Sequence, residues 1–573
     1  MPTTVSAQMD GLVDRLTAGA VSWAGMSYSD RAALIGRTRE SVAAASEAWV
    51  QAALTAKGIS SATAEAEEWL SGPFPTINAV DQYSASLLAL ARGESPLRGV
   101  APRSAPGGRA AVRMLPRTAT DRLLYSGITA DLWLRPGVRR DDAERRARPA
   151  CEPGASPAGV GVVLGAGNVT AIGPMDVLDS LVVHGRPAIL KLNPTFSGLL
   201  EAYAAALAPL IAADLVAVVN GGAEVGADLV AHPGISHVHV TGSAATHDAI
   251  VWGPEPRTSD DTGRRSKPGK PDTPARPRLD KPVTSELGGV SPIIIVPGRW
   301  SARDLRFQAE HVASLKVHNA GHNCVAAQIV IMPADWDQRD DFVAELHAAF
   351  ERIPPRDNWY PGSSASEDRA RTAYPDGTTA GATFLAEVTP ETSQDLLTTE
   401  YFGRVLGLTS LPGKPADYLR SAVAFANTRL AGTLGATIIV APQQRRRLGS
   451  SFDEAVEDLR YGAIGINIWS GIAFLDPRLS WGAFPGGTLK DVGSGIGRVH
   501  NSGFVPDVER VVATGPFRPF PRSLVGGELS LLPVPPWFAT ARTARQTARA
   551  FTRYATRPTP ARLAAVLAHA VRA

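Results

Sequence analysis

Small apolar residues recur three and four positions apart through the first hundred residues, the period of amphipathic helices. Arg31 to Lys57 carries this spacing behind Ser29-Asp30 as the expected cap, and a second helix is predicted from Ile77 to Arg92. Gly107 to Val112 and Arg135 to Arg148 read as exposed connections, and Tyr125 to Leu134 as a strand or hairpin. From Gly159 the period changes. Apolar runs at Val160–Leu164, Ala188–Leu192, Leu215–Val219 and His237–Val240 alternate with helical segments at Met175–His184, Gly198–Ala213 and Val225–Ala231. That alternation predicts a parallel sheet wound on both faces by helices, a platform suited to a nucleotide cofactor. Pro254 to Asp280, with six prolines and mixed charge, interrupts it and reads as an exposed insertion. Alternation resumes at Val283 and runs to about Val440, and Val505 to Ala513 is strand-like.

Length then adds to the picture: 573 residues exceed one ordinary core, so two or three packed units are expected. A hydrophobic fraction of 44% with 20% charged residues is that of a globular protein. Two cysteines make no disulfide framework or zinc site, which points to a reducing, cytoplasmic setting and no metal. The first residues lack the basic start and apolar run of a secretory signal, and no run reaches the roughly 18 to 20 apolar residues of a membrane span. The net charge of +3 conceals seven arginines, and no acid, in residues 537–573, which leaves the rest at −4. Overall charge therefore argues for no nucleic-acid partner. Arg542, Arg545, Arg549 and Arg553 fall at helical spacing, with Phe538, Ala541, Ala548 and Phe551 free for another face. Such a helix suits peripheral contact with an anionic membrane, a partner, or the protein's own surface.

Candidate chemistry centres on Lys316 to Gln328, KVHNAGHNCVAAQ. Cys324 follows Gly321 and precedes small apolar residues, which suggests a helix start whose positive end would favour a thiolate. An inert buried thiol is the ordinary alternative. Gly165-Ala-Gly167-Asn168-Val-Thr170 is only a partial dinucleotide fingerprint: its third glycine is Thr170, and no acid follows the next strand. Alone, Asn168 reads as a turn cap, Lys191 as a strand-end charge, Glu286 and Glu400 as loop acids, and Phe402 as packing. His318 and His322 lie near Cys324 but lack further ligand spacing, so both read as scaffold.

In their order, Asn168, Lys191 in AILKLNP, Thr241-Gly242-Ser243, Glu286-Leu-Gly-Gly289, Asn319 to Cys324 and Glu400-Tyr-Phe402-Gly403 resemble the aldehyde dehydrogenase superfamily, particularly its fatty and aromatic aldehyde branch. Gly465-Ile-Asn467, Trp481 to Phe484 and Ser494-Gly495 extend the resemblance over roughly residues 30 to 515. It implies an α/β fold with a doubly wound, parallel-sheet cofactor domain (1–123 and 151–286), a catalytic domain (287–495) and a small β oligomerisation element (124–150 and 496–515). Residues 516–573 would be a basic extension.

The resemblance also implies Cys324 as nucleophile, Asn168 as oxyanion donor and Glu286 as water-activating base, with Lys191, Gly242, Ser243, Glu400 and Phe402 holding NAD or NADP. The partners implied are an aldehyde and further copies of the chain in a homodimer or homotetramer. Retention of Glu286 argues against an acylating relative that hands its thioester to coenzyme A, and retention of the whole set against a non-catalytic scaffold. His322, where relatives often carry glutamine, and Arg404, where proline is usual, depart from the pattern. So does Asn193-Pro194-Thr195, whose lack of a carboxylate would leave a 2′-phosphate unrepelled. Trp469, Phe474, Trp481 and Phe484 are candidates for an apolar tunnel suited to medium or long aliphatic or aromatic aldehydes.

Overall fold

A computed structural model describes residues 4–253, 276–391 and 393–573; most of the expected insertion, 254–275, lies outside the described residues. The helical start is present as Tyr28–Lys57 and Pro73–Ala91. Ser27, rather than Ser29-Asp30, caps the first of these by accepting from the Asp30 amide.

The predicted alternation forms a six-stranded sheet in the order Gly495–Ile496, Val283–Leu287, Ile235–Gly242, Val160–Leu164, Ala188–Lys191, Val216–Val219. All neighbours are parallel except the first pair. Chain order runs outwards from Val160–Leu164 on one side and then returns to place Ile235–Gly242 on the other. Such a reversal opens a crevice at the carboxyl ends of these two strands.

A second sheet has eleven strands, with Val508–Thr514, Ala463–Ile466, Gly435–Ile439, Ser291–Ile295, Ala327–Pro333, Val405–Leu411 and Thr383–Glu387 forming its parallel centre. The strands on both faces are continuous apolar runs, as in Ala327–Pro333, where every residue is buried. Gly107 to Val112, expected as an exposed connection, instead opens the strand Arg109–Leu115, because Ala111 and Val112 find a buried place against Trp133 and Leu132. Arg135 to Arg148 contains the short helix Arg140–Arg145. Thr129–Leu134 and Val508–Thr514, from the expected oligomerisation element, pair antiparallel with each other. Val508–Thr514 also pairs with Ala463–Ile466, so both strands lie inside this chain's own sheet.

Residues 537–573 form two helices, Ala544–Thr556 and Pro560–Ala570. The apolar stripe offered in the sequence to a membrane is turned inwards: Ala548 and Phe551 are buried with Leu70 and Phe74. Arg549 pairs with Glu47 and lies over Trp69, while Arg545 reaches Glu65 at 3.4 Å. Basic residues thus meet acids of the N-terminal helices, and the helix has no apolar face left for a bilayer. Among the described residues no helix is long and apolar enough to cross a membrane.

Candidate active site

The helix Ala302–Val317, started by a Ser301/Asp304 capping box, delivers the cysteine segment. It ends in a tight turn where Asn319 and Ala320 have φ of 54° and Gly321 has 82°. Asn319 holds this unusual backbone: its amide nitrogen donates to the Asn168 carbonyl at 2.9 Å and to the His322 carbonyl at 3.0 Å. Lys57 Nζ donates to Asn319 Oδ1 at 2.9 Å, and the Asn319 backbone N–H to Glu67 at 2.8 Å. Asn168 in turn gives one N–H to the His322 carbonyl at 3.0 Å, leaving its second N–H uncommitted by that bond. The turn after Val160–Leu164 and the cysteine segment are therefore locked together.

Cys324 does not start a helix. The chain passes from it directly into the strand Ala327–Pro333, so the expected dipole is absent. Burial, followed by the nearby Glu286 and Glu400 carboxylates, pushes the thiol well above its ordinary pKa, while the Cys324 and Val325 backbone N–H groups pull the other way. A thiol in this setting rests protonated.

Glu286 lies opposite Thr241 across paired strands. It is 4% exposed, and neither carboxylate oxygen has a hydrogen-bond partner. Burial, then the charge of Asp176, raises its pKa well above the usual glutamate value. Asp176 is buried too, but His239 and His500 hold its carboxyl below the normal range, with His500 Nε2 3.0 Å away. The two acids are thereby driven apart: Asp176 stays ionised and Glu286 is poised to take a proton.

Close backbone approaches bring Glu400 to the same place. A Cβ on Gly321 would lie 2.4 Å from the Gly403 carbonyl oxygen, and one on Gly288 would lie 2.0 Å from Glu400 Oε1. At Gly321 the obstacle is backbone, so only glycine lets those two segments meet, while at Gly288 it is the end of the Glu400 side chain lying against it. Burial raises Glu400 to about 8, against the opposing pull of the Gly289 N–H and Lys316. Arg404 has a clear structural part: it clamps Glu367 through Nε at 2.8 Å and Nη2 at 3.0 Å, and gives Nη1 to the Arg356 carbonyl at 2.6 Å. His322 sits among Trp359, Tyr360 and Phe402 with both ring nitrogens unpartnered. Burial lowers its pKa to about 3, so it is a neutral aromatic spacer and no partner base for the thiol.

On the other side of the crevice, Lys191 ends its strand and Thr241-Gly242-Ser243 leads into the helix Ala244–Trp252. Gly242 and Ser243 are exposed there, and Ser243 caps the helix through Thr246 N at 3.1 Å. An accessible helix N-terminus at a strand-order reversal can take a phosphate. The partial fingerprint does not compete for that role: a Cβ on Gly167 would meet the Asn193 side chain at 2.7 Å, and Thr195 Oγ1 donates to the Gly167 carbonyl at 2.9 Å. That turn is filled by the chain itself.

Residues 153–395 match the model of the aldehyde dehydrogenase family, and this span holds each of these groups: Asn168, Lys191, Gly242-Ser243, Glu286 and Cys324, with Glu400 and Phe402 just beyond it. Over that span, less than half of the chain, the sequence is similar to the aldehyde dehydrogenase family. A coniferyl aldehyde dehydrogenase from Pseudomonas sp. (strain HR199 / DSM 7063) is 32% identical over 182 residues, or 31% of this chain and 30% of that relative. The match thus spans about a third of the curated relative. Among solved structures, the gamma-glutamyl-gamma-aminobutyraldehyde dehydrogenase of Burkholderia cenocepacia J2315 aligns with a TM-score of 0.57 and 18% identity, over 89% of this chain and 88% of that one. A mutant aldehyde dehydrogenase C from Pseudomonas syringae, complexed with NAD+ and octanal, aligns at 0.56 with 18% identity over 90% of each chain. At such identities these two likenesses speak for the fold.

Three of the four aromatic candidates for the tunnel line a small apolar chamber that reaches Cys324: Trp469, Phe474 and Trp481. Phe484 packs instead under the Arg510 guanidinium, 4.8 Å from its ring centroid. Asn467 is a brace, exchanging two hydrogen bonds with Val440 at 2.8 and 3.0 Å. Sequence reasoning missed the buried supports Lys57, Glu67, Asp176 and His500, which come from remote segments without motif spacing. It also missed Trp537, which lines the chamber from the C-terminal extension.

Proposed function

We propose that this chain oxidises an aldehyde to its carboxylic acid with NAD or NADP, with Cys324 as nucleophile and Glu286 as base. One observation carries the reading: a buried, unpartnered carboxyl at Glu286 lies close enough to act electrostatically on the Cys324 thiol, which an apolar chamber reaches. Burial without a partner is how a glutamate becomes a base effective near neutral pH.

The residues present fit a dinucleotide. Gly242 and Ser243 would take its phosphates, Lys191 its adenosine ribose, and Glu400 with Phe402 its nicotinamide end. When bound, the nicotinamide supplies a hydride acceptor. As the Cys324 sulfur bonds to the aldehyde carbon, its thiol proton passes to ionised Glu286, which releases it to solvent. The carbonyl oxygen gains charge, which the Cys324 backbone N–H and the second N–H of Asn168 stabilise; one such donor typically contributes about 3 kcal/mol. Loss of hydride from that carbon leaves an acyl group on the sulfur. Glu286 then takes a proton from water, whose oxygen bonds to the acyl carbon as the sulfur–carbon bond breaks, releasing the acid. The substrate class we favour is an aromatic or a medium or long aliphatic aldehyde, supported by the apolar lining and by the coniferyl aldehyde relative.

The same reading keeps 1–123 with 151–286 as the cofactor-binding unit, 287–495 as the catalytic unit, 124–150 with 496–515 as the oligomerisation element, 516–573 as an extension, and a homodimer or homotetramer as the assembly. Thr129–Leu134 and Val508–Thr514 are each paired on both edges within one chain, so an assembly would not extend the sheet through them. Light scattering tests it, and a monomer at working concentration overturns it. For the activity, purified protein is given a panel of aldehydes with NAD and NADP in parallel, with and without coenzyme A. Cofactor reduction that does not need coenzyme A is expected; silence of folded protein across the panel refutes the reading.

A further inference from the structure

Two apolar cavities share part of their lining beside the C-terminal extension. The inner one holds Cys324 with His318, Trp469 and Phe474; the outer one is walled by Phe74, Tyr125, Phe551, Val566 and Leu567. Leu70, Leu475 and Trp537 line both, so these three residues stand at their junction. Each cavity encloses about 40 Å³, room for about three water molecules on a scale of ~10–15 Å³ per water. An extended molecule lying on Cys324 therefore has to displace the divider to reach the outer cavity. The outer wall offers it no free charge, because its acid, Asp476, is bound by Arg478 at 2.9 Å.

The extension is fixed at this junction by the helix that delivers the nucleophile. The Ala539 N–H donates to Ser314 Oγ at 3.1 Å, and Phe538 stacks on His311 with ring centroids 5.2 Å apart. Both partners belong to the helix Ala302–Val317, which runs into the cysteine segment. Farther out, Phe551 meets Phe74 at 5.6 Å, and Thr543 Oγ1 ties the two terminal helices by donating to the His569 carbonyl at 2.7 Å. Trp537 is thus placed by the anchored segment that follows it.

We propose that the C-terminal helix pair is the outer wall of the aldehyde channel and that Trp537 divides it, setting how long an uncharged, apolar tail the substrate can carry. The proposal rests on the aldehyde reading for its substrate, but the channel can be read without turnover. The first readout is the ratio of kcat/KM for decanal to that for propanal, in full-length protein. Trp537→Ala joins the cavities and is expected to raise this ratio about tenfold; Leu567→Trp fills the outer cavity and is expected to lower it about tenfold. The second readout is the rate of Cys324 modification by octyl against methyl methanethiosulfonate, located by peptide mass, where the two variants should move the octyl-to-methyl ratio in the same opposite directions. Ratios that stay at the wild-type value in both variants overturn the channel, as does a loss that is equal for long and short reagents. A wild type silent on every aldehyde, whose labelling ratios nevertheless shift as stated, removes the aldehyde reading and leaves the channel standing.

Discussion

Replacing Glu286 by Gln removes the base and keeps the shape. The carboxyl is 4% exposed with neither oxygen partnered, so the amide enters a site that already tolerates unsatisfied polar atoms, and the fold should survive. A positioned general base contributes about 10²- to 10⁴-fold, or ~3–5 kcal/mol of barrier at 1.36 kcal/mol per tenfold step. Solvent can also take the thiol proton that Glu286 accepts before the carbon is oxidised, so the larger loss should fall on steady turnover, where Glu286 activates water. Stopped-flow absorbance of the reduced nicotinamide should show one equivalent per Cys324, followed by a rate lower by that factor, with the acyl group retained on Cys324 by intact mass. The pH response provides a second check. Burial and Asp176 raise the folded-state pKa, so wild-type turnover should climb with pH as the carboxyl ionises. For stability the sign is opposite: a carboxyl with a raised folded pKa contributes fully at low pH and loses that contribution as pH rises through the folded value. The variant lacks this loss, so its melting temperature relative to wild type should increase from pH 6 to pH 9. Unchanged steady turnover, or a missing burst, refutes the assignment.

Gly321→Ala should cost more than ~2 kcal/mol in a urea melt, since φ is 82° and the new Cβ would lie 2.4 Å from the Gly403 oxygen; an unchanged midpoint refutes the close approach. Phe551→Ala should cost the docked extension ~3–5 kcal/mol and speed amide exchange across Ala544–Thr556; exchange at the wild-type rate shows that the helix is not held by this contact. Wild-type protein should stay unbound in flotation with anionic vesicles, because the face that would insert is buried. Asn193→Glu should lower kcat/KM with NADP about tenfold more than with NAD, through repulsion of a 2′-phosphate near Lys191; an equal loss for both cofactors excludes that position from the ribose site.

Much of the six-stranded sheet was legible because its strands are buried on both faces. Runs such as Val160–Leu164 and Ala188–Lys191 are apolar for that reason and need no distant partner to be recognised. Asn168 and Glu286 stand near glycines, Gly167 and Gly288, against which other side chains pack closely, and that local composition is visible in the sequence. What short-range pattern could not carry was context. Cys324 reads as a helix start from its small neighbours, yet Val325 to Ala327 turn into a strand that Ser291–Ile295 and Val405–Leu411 accept from either side. Gly107 to Val112 reads as a connection because its glycines dominate the local composition, while the apolar partners of Ala111 and Val112 lie some twenty residues on.

The extension shows the same limit with more consequence. Its arginines and apolar residues define an amphipathic helix unambiguously, and amphipathicity says that a face will be covered without saying by what. The acids that answer it, Glu47 and Glu65, lie about five hundred residues away, on the helical segment that leads to Leu70 and Phe74. Those two residues also wall the outer cavity, so the charges that seat the helix place Phe551 and Val566 over the route to Cys324. A basic tail whose sequence leaves open a membrane, a partner or the protein's own surface becomes, once its partners are known, a structural side of the site. Charge pairing therefore bears on substrate length here: at high salt, where exposed pairs such as Arg545–Glu65 are screened, the octyl-to-methyl labelling ratio at Cys324 should drift towards that of Trp537→Ala.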